Sequence, residues 1–417
     1  MNKLFFLLIF FLSANDFFQI NSFGNIETAC KTITYLLFAI LLILSLKGSK
    51  KTLIYGKKNR IVDKCVIFLL LCLLISIINA FLFKNQDILI GLMTSLPIFI
   101  VYLLYFVLKR FQLQEKDLRK IILLLGTLYC IFNIISVLTL PNPLFGRFTF
   151  EEDRGGFRLR IPGLFWVNLM YFLLIGKYLV TKKLRYLLFA FLSFLIIASS
   201  LARQYIIWSV VLGGLYLFKS FTIRKKIHLI VIIVFLGLYI VPNIPLVKNL
   251  TELSDNQKQE NDEGKENVRL VDYRVFLYEY ERNPIQYLCG CGIASYGNSK
   301  YGKELEQMAK DEQLIHADAG WAGFVFYYGY LSALILFILY LYILKAPLQK
   351  EYVFYKYFLL YVMLCAIAGG PIIYYHEYII SIVVFYIIVS LNSYKTIANA
   401  TYNKDCKIIK SYQTTKI

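Results

Sequence analysis

Charge is scarce in this chain of 417 residues: 17% are Asp, Glu, Lys or Arg, against 59% hydrophobic. That balance excludes a soluble globule, because apolar runs of roughly 20 residues recur along the length, and a hydrocarbon core of about 30 Å takes about 20 apolar residues per helix. No Asp-x-Asp pair occurs, which removes the acidic pair of a metal-dependent phosphate clamp. Histidine is limited to His228, His316 and His376. No half-to-half repeat is evident, whereas secondary carriers tend to show one. The eight cysteines make no disulfide framework. Cys30, Cys65, Cys72, Cys130 and Cys365 lie in or beside apolar runs and Cys406 in the tail. Cys289 and Cys291 form a Cys-x-Cys without a nearby third ligand, which reads as packing rather than metal binding.

What is present is a series of spans, read as 4–20, 28–46, 65–83, 88–108, 121–140, 162–180, 184–200, 204–218, 227–245, 321–344, 356–373 and 376–394. The expected fold is an all-α polytopic membrane protein of about twelve transmembrane helices with one large external loop between spans nine and ten. Residues 1–245 hold spans one to nine, 246–320 an extracytoplasmic loop with short helices, and 321–417 spans ten to twelve with a basic cytoplasmic tail. Alternate connections are consistently basic. With Lys3, one face carries 29 of the 45 lysines and arginines and five of the 26 acids, a net +24 against −5 opposite. The positive-inside bias makes that face cytoplasmic, both termini included. The overall +19 therefore reads as topology and anionic-lipid contact, with no nucleic acid partner. Lys3 and the run Leu4 to Leu12 also fit a signal peptide. Ser13, Ala14 and Asn15 make a poor cleavage site, which favours a retained first helix.

Polar residues concentrate in a few external stretches. Residues 141–161 (PNPLFGRFTFEEDRGGFRLRI) cannot span and place Arg158 and Arg160 at the mouth of the sixth helix. SSLARQYIIW sets Arg203 at the external end of a tight hairpin, where ionisable residues often serve function and otherwise snorkel to head groups. The long loop opens with a polar, linker-like stretch, TELSDNQKQENDEGKENVRL. Beyond it, Leu270, Val271, Arg274, Leu277, Tyr278 and Glu281 follow helical spacing, which predicts a short helix with Arg274 covered and Asn283-Pro284 ending it. Gly290, Gly292 and Gly297 predict sharp turns or close backbone approach. A second polar helix is expected over 301–314. His316 and Asp318 precede span ten, and His376 with Glu377 occupies the last external turn.

Together Arg158, Arg160, Arg203, Arg274, His316, Asp318, His376 and Glu377 sit at external helix ends, within reach of a substrate lying in the membrane interface. Arginine forks bind phosphate oxygens bidentately and stay charged at low dielectric. That points to a lipid-borne phosphate or pyrophosphate. Attack on the carbon bearing it needs cations for the leaving charge and a base for the attacking hydroxyl, with His316, Asp318 or Glu377 as base and no metal or cofactor.

The ordered set RLRIPG, SSLARQ, DYRVFLYEYERNPIQYLCGCG and HADAGWAGFVFYYGYLS resembles the O-antigen polymerase and O-antigen ligase superfamily of bacterial envelope proteins. The resemblance implies transfer of a glycan from an undecaprenyl-pyrophosphate carrier to an acceptor sugar, outside the bacterial inner membrane. It also admits a chain-length regulator as partner. By resemblance, Arg203 and Arg274 match pyrophosphate-holding arginines, Arg160 a supporting position, and His316 the histidine of ligases. Ligases follow that histidine with Asn; Ala317 stands here, which favours a polymerase. Ligase activity and lipid-linked sugar transport are the alternatives.

Overall fold

Runs of Leu, Ile, Phe and Val can satisfy their backbone within lipid only as helix or closed barrel, and helix dominates this chain. The computed structural model describes residues 3–20, 26–47, 59–151, 156–220, 268–311, 314–315 and 319–393. In chain order come α1 (Lys3–Ala14), α2 (Ile26–Lys47), α3 (Asn59–Lys84), α4 (Ile88–Phe111) and α5 (Glu115–Leu138). The strands β1 (Arg147–Glu151) and β2 (Gly156–Arg160) follow, then α6 (Leu164–Thr181), α7 (Leu184–Ser199) and α8 (Arg203–Ser220). After them stand α9 (Val268–Arg274), α10 (Pro284–Cys289), α11 (Lys300–Asp311), α12 (Trp321–Lys345), α13 (Phe354–Cys365) and α14 (Tyr375–Ser393).

Seven of these, α2 to α6, α12 and α14, are long and apolar enough to cross a bilayer, so the chain is a multi-pass helical membrane protein. Short connections at 85–87, 112–114, 182–183 and 200–202 force the helices they join to run antiparallel. One end of the bundle thus collects Lys84, Leu138, Leu164, Ser199, Arg203, Trp321, Cys365 and Tyr375. The opposite end holds the basic connections, where Lys109 pairs with Asp63 and Glu115 takes Arg119 at 3.3 Å and the Tyr355 hydroxyl at 2.9 Å. The most apolar windows of α6 and α14 are 72% and 78% buried against 28% for α2, which makes α6 and α14 the centre and leaves α2 to lipid. Phe11 of α1 meets Trp166 of α6 at 5.1 Å, and Phe165 and Phe172 flank Tyr361 of α13.

Several expectations need correction. A span over 4–20 does not form: α1 stops at Ala14, and Asp16, Phe17, Phe18 and Gln19 take φ of 50°, 49°, 60° and 54° in the left-handed region that L side chains rarely enter. Buried Phe18 ties this turn to Phe132 at 5.2 Å. The span expected over 356–373 ends at Cys365, because Gly369-Gly370-Pro371 disfavours helix. With 12 residues each, α1 and α13 reach about 18 Å at 1.5 Å per residue, short of a full crossing. Residues 141–161 contain an antiparallel hairpin, with Arg147 opposite Arg160 and Thr149 opposite Arg158. The second polar helix spans Lys300–Asp311. The expected span at 227–245, most of the linker and the tail beyond Ser393 lie outside the described residues.

The periodicity read over 270–281 also yields a different helix. Asp272, Phe276 and Tyr280 are the buried residues, while Leu270 and Tyr278 are 69% and 70% exposed. After α9 the chain widens into a π-helical turn over Val275–Glu279. Asn283-Pro284 begins α10 instead of ending α9: Asn283 Oδ1 accepts from Gln286 N at 2.8 Å and Gln286 Oε1 accepts from Asn283 N at 3.1 Å, with Pro284 in the first turn.

Residues 290–295 then form an extended strap wedged between α3 and α12. Helix α12 breaks at Gly329 (φ 83°, ψ 165°), where Phe326 O and Tyr327 O accept from Cys291 N and Gly292 N, both at 2.9 Å. Gly290 and Gly329 are reciprocal: a Cβ on the first would lie 2.2 Å from Tyr327 O, and on the second 2.2 Å from Leu288 O. On the α3 side Asn79 Nδ2 donates to Gly290 O at 2.9 Å. Beyond α3, Gln86 donates to Ile293 O at 2.8 Å and accepts from Ser295 N and Ser299 Oγ, both at 2.9 Å. Of the Cys-x-Cys expected to pack, Cys291 is fully buried in the core and Cys289 is half-buried.

Candidate functional site

The break between α13 and α14, residues 366–374, is where distant parts of the chain meet. Ala366 O accepts from Trp321 N at 2.9 Å, Met363 O from Trp321 Nε1 at 3.3 Å, and Ile367 O from the Tyr273 hydroxyl at 2.7 Å. Gly320 closes on the turn so tightly that a Cβ there would lie 1.8 Å from Ala366 O. Gln204 packs its amide on Gly369, and Cys365 Sγ lies 3.9 Å from Gln204 O.

The first turn of α14 adds His376 and Glu377. Glu377 Oε2 accepts from the Tyr205 hydroxyl at 3.4 Å. His376 Nδ1 lies 2.9 Å from Ala14 O. A carbonyl only accepts, so Nδ1 is the donor in this contact.

Arg203 opens α8 beside Gln204, and Arg274 follows Tyr273, so both stand on elements anchored to this turn. His316, Ala317 and Asp318 lie outside the described residues. Their flanks are anchored: Ile315 N donates to Asp272 Oδ1 at 3.0 Å, and Trp321 N to Ala366 O. Arg160 ends β2 and is exposed, and Arg158 lies in the same strand with its side chain outside the described residues. The hairpin reaches the bundle through Gly146 N donating to Gln19 O at 2.8 Å and the Tyr129 hydroxyl to Ile161 O at 3.3 Å. Phe165, in the first turn of α6, sits edge-on to Tyr205 at 5.3 Å. All the described candidate residues therefore share one end of the bundle, with Arg203, Arg274, His376 and Glu377 grouped around 366–374 and Arg160 on a separate arm.

Arg274 is not covered as its spacing suggested. Its side chain is 49% exposed, and Nε pairs with Glu279 Oε1 at 2.9 Å. An exposed pair of this kind contributes about 0 to 1 kcal/mol, little enough for an anionic ligand to displace Glu279.

Sequence reading passed over Arg282. It lines an open cleft of about 700 Å³ together with Lys84, Tyr278, Glu279, Gln286 and Tyr287. Its guanidinium lies 4.2 Å above the Tyr287 ring, and Nη2 donates to Leu277 O at 2.6 Å. Arg282 Nε and Nη1 and Gln286 Nε2 have no protein partner. Lys84 Nζ sits 4.1 Å over Tyr280, whose hydroxyl donates to Glu304 Oε1 at 2.7 Å. Burial, then the Glu304 carboxylate, pushes the Tyr280 phenol far up, so it remains a donor. The signal was in the sequence: Tyr280-Glu281-Arg282 followed by Tyr287 brackets a cation with aromatic rings, and Asn283-x-x-Gln286 is a capping pair. Cleft and turn are joined by one segment, from Tyr273 to Tyr280, a distance of about 10 Å at helical rise.

No family model matches the chain, and no curated protein matches it in sequence.

Proposed function

We propose that the protein polymerises lipid-linked oligosaccharide repeat units of the O-antigen or capsule type. The donor is a glycan on undecaprenyl pyrophosphate, and the acceptor is a sugar hydroxyl at the external face of the bacterial inner membrane, both termini being cytoplasmic. One observation supports this most: stretches far apart in sequence, holding Arg203, Arg274, His376 and Glu377, gather on one short turn at the less basic end of the bundle.

In this reading Arg203 and Arg274 grip the diphosphate, with Arg158 and Arg160 as an outer basic arm. Their fixed charge stabilises the departing diphosphate in a low-dielectric rim. The acceptor oxygen bonds to the anomeric carbon as the carbon–oxygen bond to diphosphate breaks, and the acceptor's proton passes to a carboxylate or imidazole. Glu377, oriented by Tyr205, is the described group best placed for it. His316 and Asp318 follow Ile315 and precede Trp321 in the sequence, the residues whose backbone N–H groups donate to Asp272 and Ala366. His376, with Nδ1 committed to Ala14 O, contributes to substrate binding. Without an Asp-x-Asp pair, the reaction runs on these side chains alone.

The test is the surface-glycan phenotype. Deleting the gene leaves acceptor capped with single repeat units, and so do Arg203→Ala and Arg274→Ala. Uncapped acceptor with intact carrier-linked polymer would mean a ligase instead, and normal long chains would refute both.

A further inference from the structure

We infer that the cleft under Arg282 is a saccharide-binding subsite that holds the sugar chain away from the reacting bond; the inference rests on the polymerase reading for its role, though not for its existence. Four observations carry it. The cleft is open and about 700 Å³, room for two or three pyranose rings on the scale of small-ligand pockets. Its walls alternate tyrosine rings with planar polar groups, the pairing that suits a sugar, whose axial hydrogens lie on aromatic faces while its hydroxyls point outward in the ring plane. Tyr278 is 70% exposed and Tyr287 carries the Arg282 guanidinium on its face. The donors Arg282 Nε and Nη1 and Gln286 Nε2, on a glutamine only 3% exposed, lack any acceptor in the protein. Buried donors without acceptors are costly, which marks them for a ligand or water.

The charge balance narrows the ligand. Lys84 and Arg282 line the cleft with Glu279 and Glu281, so its formal lining charge is zero, which suits hydroxyl-rich or zwitterionic sugars over a polyanion. Its place fits a chain emerging from the turn. Glu279 lines the cleft and pairs with Arg274, so the subsite begins where the diphosphate grip ends.

The experiment uses the full-length protein in nanodiscs and a carrier-free probe: repeat-unit oligosaccharide released by mild acid from the lipid of cells lacking the protein. Binding is measured by calorimetry. Tyr278→Ala should weaken it about threefold and Tyr287→Ala about tenfold, in line with one aromatic contact each, and Arg282→Gln at least as much as Tyr287→Ala. Arg203→Ala should leave it unchanged. Because Tyr278 is exposed, its variant keeps the fold should Tyr287→Ala not. In cells Tyr278→Ala should shorten the glycan chains while still making polymer. No binding by the native protein, or equal binding by the Tyr278 and Arg282 variants, overturns the subsite. Binding lost with the cleft variants, in a protein whose deletion leaves long polymer intact, would sink the polymerase reading and keep the subsite.

Discussion

Gly329→Ala should unlatch the strap over residues 290–295, and the structure sets the size of the effect. A Cβ at Gly329 would lie 2.2 Å from Leu288 O, on a backbone at φ +83°, so the closed arrangement cannot persist. In the native protein hydrogen bonds from Cys291 N, Gly292 N, Asn79 Nδ2 and the Tyr301 hydroxyl hold the strap at residues 290–292. At about 1 kcal/mol each they leave it open roughly one part in a hundred or less. Cys291 reports on that opening because it is fully buried when closed, with burial pushing its thiol up to about 12. With the other seven cysteines replaced, a membrane-impermeant maleimide should label Cys291 about a hundredfold faster in Gly329→Ala. The pH dependence has a definite sign. The closed strap holds the thiol proton more tightly, so closure is fully favoured below the open thiol's pKa of about 8.5 and weakens as pH rises above it. Native labelling should therefore climb more steeply with pH than that of an exposed thiol. A folded Gly329→Ala protein that labels at the native rate would refute the strap.

Gln86→Ala removes one donor and two acceptances on the strap side of α3, at about 1 kcal/mol per bond. Its melting temperature should fall by several degrees, checked by thermal denaturation in detergent. Gly320→Ala puts a Cβ against Ala366 O and should abolish polymer at unchanged expression, read on glycan gels. Arg274→Lys keeps a cation but loses the fork, so polymer yield should drop at least tenfold, read in the same way. Activity of the purified protein should survive chelation by EDTA, and restoration by a divalent ion after its loss would overturn the metal-independent route.

Hydropathy made the spans legible because lipid leaves apolar runs little choice but helix, and among the described residues seven of the expected spans appear as long apolar helices. It failed where local chemistry decides: Gly369-Gly370-Pro371 cut the expected span at Cys365, and the turn after Ala14 ended the first. Glycines read as close-approach points proved so at Gly290, whose neighbour is backbone from α12. Arg274 was misjudged because its apparent stripe ran through exposed Leu270 and Tyr278, whereas burial selects Asp272, Phe276 and Tyr280. Asp272 was invisible as an anchor, since its partner is the backbone of Ile315, 43 positions away. The cleft was missed because Asn283-Pro284 looked like a stop and is a start.

The central claim is that Arg203 and Arg274 act together on the diphosphate of a lipid-linked sugar. Purified protein in vesicles, given carrier-linked repeat units, tests it directly through the length of the product. The native protein should yield polymer, and Arg203→Ala or Arg274→Ala should leave single units on the carrier. Polymer of native length from either variant would contradict the account.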